Sequence, residues 1–154
     1  MKRMISVTEN PSGKTYEALL DFLFETCDTF QLVVRTDILK YEHAFQDLNE
    51  WFGDSFIEVL EQHEWPSTNL FDDTAKVYYF KTTSEAKDKL LERSNSLYDW
   101  SLPDSPEDLC FFKDDEAYLS VSSELEEIYL YPTSDEEVAK IKNIDGLKTV
   151  EISF

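Results

Sequence analysis

The sequence predicts an α+β fold: a single domain whose mixed or mainly antiparallel sheet is covered by about four helices. Three observations lead there. Helical and strand-like periodicities are interleaved along the chain, and its second half is rich in hairpin signals rather than in repeated strand–helix–strand units. The chain has 154 residues, 42% of them hydrophobic and 14% aromatic, enough to bury one real core. Only three glycines and five prolines occur, which argues against a flexible linker or a low-complexity segment.

The elements follow in order. Residues 4–8 read as a short strand closed by the turn cluster Asn10-Pro11-Ser12-Gly13. Tyr16, Leu19, Leu20, Leu23, Phe24 and Cys27 then recur with helical spacing on one face. Phe30–Val34 is short, apolar and partly β-branched, as a buried strand is. Tyr41, Phe45, Leu48 and Phe52 predict a second helix, with Gly53 as its stop. Residues 55–65 suit helix or strand, and the alternation of Ile57, Val59, Glu61, His63 and Trp65 favours strand. Pro66–Asp73 is a loop and Ala75–Lys81 a strand.

Thr82 and Glu85 have capping-box spacing and open a helix expected to run to Tyr98. After a proline-containing connection, Leu109–Lys113 and Ala117–Ser122 form a hairpin across Asp114-Asp115-Glu116, followed by a strand over 127–131. Ser134 and Glu137 repeat the capping spacing, and Lys140 and Lys142 complement the helix dipole. Lys148–Phe154 closes the chain as a strand.

Charge is the outlying property. Fourteen Lys and Arg stand against 33 Asp and Glu, a formal net charge of -19. That balance opposes direct binding to nucleic acid or to an anionic membrane, since both require neutralised phosphates. It favours a basic protein, or a nucleic-acid-binding enzyme, as partner. The acids are also segregated. Glu17, Asp21, Glu25 and Asp28 lie opposite the apolar stripe of the first helix. Between Tyr41 and Ala75 there are nine acids and no Lys or Arg, including Glu42, Asp47, Glu50 and Asp54. Between Asp104 and Glu137 twelve acids face Lys113 alone, with Asp114, Asp115 and Glu116 at the hairpin tip. These eleven named carboxylates are the expected partner-binding surface. A surface serving solubility alone interleaves both signs and needs a net charge of only about 2–8.

Catalytic, cofactor and metal patterns are incomplete. Ser12-Gly13-Lys14-Thr15 resembles the end of a phosphate-binding loop, but Thr8 stands where that loop needs a glycine. His43 and His63, the only histidines, lack the converging ligands of a zinc site. Asp114-Asp115-Glu116 lacks the spacing and glycine of a calcium loop. No Gly-x-Ser-x-Gly elbow is present, and Cys27 and Cys110 sit among apolar neighbours as reduced, buried thiols would. The expectation is therefore no catalytic residue, no cofactor and no metal. The N-terminus lacks the apolar run of a signal peptide and no stretch reaches the ~20 apolar residues of a membrane helix, so a cytoplasmic location is expected. Trp51, Trp65 and Trp100, with eight tyrosines, fit core packing and leave a homodimer interface open.

Several segments carry a family resemblance: Cys27-Asp28-Thr29-Phe30 leading into Leu32-Val33-Val34-Arg35, then Glu64-Trp65-Pro66 and Val77-Tyr78-Tyr79, and the run from Ser96-Leu97-Tyr98-Asp99-Trp100 through Pro106-Glu107-Asp108-Leu109-Cys110-Phe111. Over residues 16–131 the chain resembles a group of small, uncharacterised proteins of Bacillus-like bacteria labelled stage III sporulation protein AH. The resemblance implies a bacterial or bacteriophage source and a cytosolic α+β fold, and it carries over no catalytic residue. The sporulation protein of that name is a membrane-anchored ring component, whereas this chain has no membrane segment. Relatives also tend to place a tryptophan after the Cys110 strand, where this sequence has Ala117-Tyr118-Leu119.

Three function classes thus stand side by side. One is a non-catalytic inhibitor, an immunity protein or nucleic-acid mimic, that occludes a basic surface of a toxin, nuclease or defence enzyme. The second is a small-molecule-binding or enzymatic domain whose pocket is assembled from residues far apart in sequence. The third is a structural or regulatory module in which the acids are surface only.

Overall fold

A computed structural model describes residues 3–152. Met1, Lys2 and the last two residues of the strand expected to reach Phe154 lie outside the described residues. Fourteen elements are used below: β1 (Met4–Val7), α1 (Gly13–Thr26), β2 (Thr29–Val34), α2 (Leu48–Phe52), β3 (Phe56–Gln62), β4 (Glu64–Trp65), β5 (Thr68–Asn69), β6 (Ala75–Lys81), α3 (Ser84–Arg93), β7 (Glu107–Lys113), β8 (Glu116–Ser122), β9 (Glu127–Leu130), α4 (Asp135–Lys142) and β10 (Thr149–Ile152).

Eight strands form one sheet in the order β10-β1-β9-β8-β7-β2-β6-β3, and every pairing in it is antiparallel. The fold is thus α+β with an antiparallel sheet, as the interleaved periodicities predict. β7, β8 and β9 make a meander. Its first turn holds Asp114 and Asp115 at φ +51° and +66°, with Lys113 opposite Glu116. Left-handed backbone at both central positions is the I′ geometry that matches strand twist.

Four helices cover one face. Buried residues of α1 (Tyr16, Leu19, Leu20, Leu23), α2 (Leu48, Phe52), α3 (Ala86, Leu90) and α4 (Ile141) pack on Phe30, Leu32, Phe80, Phe111, Leu119 and Leu130 of the sheet. At its centre the Phe30 ring lies 5.0–5.7 Å from those of Phe24, Phe52, Phe80 and Phe111. The polar atoms of Trp100, Tyr16 and Ser94 in this core are paired. Trp100 Nε1 donates to the Tyr16 hydroxyl (2.9 Å), which donates to Ser94 Oγ (2.5 Å), which donates to the Leu90 carbonyl (2.7 Å). Trp100 and Tyr16 therefore serve the core, closing the chain of donors that burial demands.

The other face is only partly covered. The small β4–β5 hairpin lays Trp65 on Val33, Ala75 and Val77.

Three local expectations are corrected. The helix predicted over Tyr41–Phe52 is confined to Leu48–Phe52; a 3₁₀ turn over Leu39–Tyr41 and a left-handed Phe45 (φ +53°) precede it. The apolar spacing there reflects contacts with the core rather than one continuous helix, since Ala44, Phe45 and Trp51 still pack against it. Gly53 does stop the helix, at φ +56°. The cap of α3 is Thr83, whose hydroxyl accepts from the Ala86 amide, while Thr82 Oγ1 donates to the Cys27 carbonyl. Finally, α3 ends at Arg93, because Ser94 is extended and its hydroxyl turns back on Leu90; Leu97–Asp99 is a separate 3₁₀ turn capped by Ser96.

Candidate functional site

The acids at the β3 edge of the sheet converge. β3 runs antiparallel to β6 with Glu61 opposite Lys76 and Gln62 opposite Ala75. The intervening β4–β5 segment must therefore return Asp72 and Asp73 to the neighbourhood of Glu61. From the other side, the irregular stretch after β2 brings up Asp37 and Glu42. Together these five carboxylates and Lys76 line a cleft of about 600 Å³.

Their charges are unequally compensated. Asp37 is held by Arg35 through two bonds, Nε to Oδ1 at 2.9 Å and an Nη to Oδ2 at 2.8 Å. Glu42, Glu61, Asp72 and Asp73 are exposed, and their side chains form no ion pair or hydrogen bond among the described residues. Large apolar side chains flank them in sequence: Leu39 (83% exposed), Leu60 (42%) and Phe71 (78%).

The eleven carboxylates predicted from sequence are all exposed, but they do not form one face. On α1, Asp21 is ion-paired with Lys87 of α3 at 2.9 Å, and Glu25 acts on the same ammonium, raising its pKa with Asp21 as the first cause. Glu17 stays exposed. Asp28 meets the hairpin tip, accepting a bond from the Asp114 amide at 3.2 Å, so Asp28, Asp114, Asp115 and Glu116 make a second acidic group. Glu42 lines the cleft, whereas Asp47, Glu50 and Asp54 do not. Trp51 of α2, beside Glu50, is overlain by Lys89 and Arg93 of α3. Basic residues of α3 thus interleave in space with acids that are segregated in sequence.

Asp37, Glu61, Asp72 and Asp73 were missed as site residues. The signal that finds them is the pairing of β3 with β6, which two strands predicted over 55–65 and 75–81 already permit.

Other chemistry-bearing groups are accounted for individually. Both cysteines are buried, and burial pushes their thiols up. His43 and His63 are exposed, and His43 Nδ1 pairs with Gln46 at 3.1 Å. Among the described residues no group of three or more His, Cys, Asp or Glu is arranged to hold a metal ion. At the loop resembling a phosphate site, Thr15 Oγ1 donates to the Asp145 carbonyl (2.8 Å) and the Gly13 amide to the Asn95 carbonyl (2.9 Å). The loop amide of Gly13 that such a site turns to a phosphate, and the Thr15 hydroxyl it turns to magnesium, are therefore both engaged within the fold. Gly146 backs this contact at φ +83°, where a Cβ would strike Thr15 Oγ1.

No helix among the described residues is long and apolar enough to cross a membrane. No protein-family model matches this chain, and no match to it was found among curated proteins or solved structures.

Proposed function

We propose that this chain is a non-catalytic, cytoplasmic inhibitor that binds and occludes a basic surface of a protein partner, in the manner of an immunity protein or a nucleic-acid mimic acting on a toxin, nuclease or defence enzyme. The observation that carries this reading is the cleft at the β3 edge, where Glu42, Glu61, Asp72 and Asp73, none in an ion pair among the described residues, converge with one lysine. β3 and β6 fix Glu61 on regular strand backbone, so little ordering is needed when a partner arrives. The net charge of -19 adds long-range attraction for a basic protein and raises its on-rate at low salt. Basic side chains are the natural complement of unpaired carboxylates, and occlusion of such side chains would disable an enzyme that uses them to hold phosphates.

The test is capture of a basic partner by the full chain from nuclease-treated native lysate, followed by measured binding of the purified pair. Neutralising the cleft with Glu61→Gln, Asp72→Asn and Asp73→Asn should weaken the pair by at least about 30-fold, from three lost pairs worth about 0.7 kcal/mol or more each. The same charge change placed at Asp135, Glu136 and Glu126 should weaken it only a few-fold. Equal losses from both triplets would mean that net charge, not the cleft, binds the partner. Retained enzymatic activity of the captured partner in the complex would reject inhibition.

A further inference from the structure

On the opposite side of the Arg35–Tyr41 stretch lies a second hollow of about 420 Å³, walled in part by Arg35, Ser101, Glu107, Ser123 and Glu124. β2 ends here, β7 begins here, and the β8–β9 turn closes it. The β7 strand carries a bulge at this point: Gln31 is opposite Cys110 and Val33 opposite Glu107, which leaves one extra residue on β7, and Asp108 takes up φ +54°. Such a bulge re-aims side chains beside it.

Its two acids differ sharply. Asp108 is 2% exposed, and both its oxygens are satisfied: Oδ2 by Trp65 Nε1 and Ser67 Oγ, Oδ1 by the Ser123 amide and hydroxyl. Glu107 is also buried, at 8% exposed, yet its carboxylate receives no hydrogen bond and forms no ion pair among the described residues. Arg35, the cation in this wall, already gives two bonds to Asp37. Glu107 feels burial first, then Asp108, Arg35, Glu124 and Asp37, and its carboxyl is pushed up to about 7. Lys40 lies over the Tyr41 ring at 5.1 Å and does not line the hollow. The wall thus holds two carboxylates, Glu107 and Glu124, and one cation already engaged by Asp37, and Ile38 and Leu102 add an apolar side to it.

We propose that this hollow binds a single organic cation, an alkylammonium or alkylguanidinium group, with Glu107 as its principal counter-ion and Glu124 as a second. The Glu107 oxygens are not sealed in, since Gln31 Oε1 is the one buried side-chain polar atom without a partner among the described residues. With no protein donor, they open to the hollow that Glu107 lines, where a bound cation supplies both charge and N–H donors. The volume suits a group of amino-acid side-chain size. The site stands whether or not the acidic cleft engages a protein, since the two share none of these residues.

Butylguanidinium titrated into the full chain, followed by amide NMR shifts and calorimetry, tests the proposal. Saturable shifts are expected at residues 35, 107, 123 and 124. Affinity should rise about tenfold from pH 6 to pH 8, as a carboxyl near 7 goes from about one-tenth to about nine-tenths ionised. Glu107→Gln should abolish both the binding and its pH step. Glu124→Gln, at an exposed position, should weaken binding about threefold and keeps the test valid if the buried variant fails to fold. Wild-type affinity in Glu107→Gln, or shifts scattered over the acidic surface with no pH step, would overturn it. A capped Gly-Arg-Gly peptide forms the second arm. Tighter binding of the peptide than of butylguanidinium assigns the cation to a protein side chain, and equal or weaker binding to a free small molecule.

Discussion

Trp65 and Asp108 meet across 43 positions of chain: the indole Nε1 donates to the buried Oδ2 at 2.8 Å. This bond ties the β4–β5 hairpin to the sheet face that no helix covers, and thereby positions the segment carrying Phe71, Asp72 and Asp73. Asp108→Ala should destabilise the protein by about 3–4 kcal/mol, because it strands the indole and the Ser123 amide and places a Cβ-bearing residue without local hydrogen bonds at positive φ. Trp65→Phe should cost less, about 1–2 kcal/mol. Urea denaturation of the two single variants and the double variant measures the coupling; strict additivity would mean that the bond contributes nothing.

Glu137 governs the acid side of stability. Burial alone would raise its carboxyl, but bonds from Lys113 (2.6 Å), the Thr133 amide and hydroxyl and the Tyr118 hydroxyl reverse that and hold it down at about 2. A carboxyl depressed in the folded state stabilises above its unfolded pKa and loses that contribution as pH falls through the folded one. The loss therefore runs from about pH 4.5 down to about 2. Glu137→Gln should cost on the order of 2 kcal/mol at pH 7, discounted for partial exposure, and flatten the acid limb of a stability–pH profile.

Glu107 has the opposite sign. Its folded pKa of about 7 lies above the ordinary value of 4.5, so the folded state holds the proton more tightly and stability falls as pH rises between those values. Glu107→Gln should remove this slope and stabilise the protein at pH 8 by about 2–3 kcal/mol. Chemical denaturation at pH 4, 6 and 8 reads it directly, and a variant less stable than wild type at pH 8 would mean that the ionised carboxylate is compensated.

Salt should stabilise the free protein. Only six ion pairs occur among the described residues, against a net charge of -19. Screening shortens from about 30 Å at 0.01 M to about 3 Å at 1 M, which relieves self-repulsion more than it weakens exposed pairs. Thermal melts in rising sodium chloride should give a rising Tm; a falling Tm would show that the pairs dominate.

The thiols should be inert in the folded state. Cys27 is 5% exposed and Cys110 fully buried, and burial raises both above the usual thiol range. Reaction with an aromatic disulfide reagent should proceed only at the rate of unfolding. Prompt release of one equivalent of thiolate from native protein would contradict the packing around Cys27.

The sequence alone was sufficient for the elements whose patterns are local. The apolar stripe of α1, the β-branched run of β2, the block Ala75–Lys81 and the cap at Ser134 depend on spacings of two to four residues, and each falls where the structure places it. The same reasoning erred where tertiary contact outweighs spacing. Tyr41 and Phe45 have helical intervals but reach the core from a turn, and Leu97 and Tyr98 continue the register of α3 beyond the bend at Ser94. The acidic character and its segregation along the chain were likewise legible, since charge needs no fold to be counted. Which acids meet was decided by the sheet. Antiparallel pairing of β3 with β6 sets Asp72 and Asp73 beside Glu61, α3 neutralises part of the α1 row through Lys87, and the bulge at Asp108 turns one of two adjacent carboxyls into a fully bonded anchor while leaving Glu107 buried without a donor. Those outcomes depend on residues tens of positions apart, and only long-range pairing brings them within reach of one another.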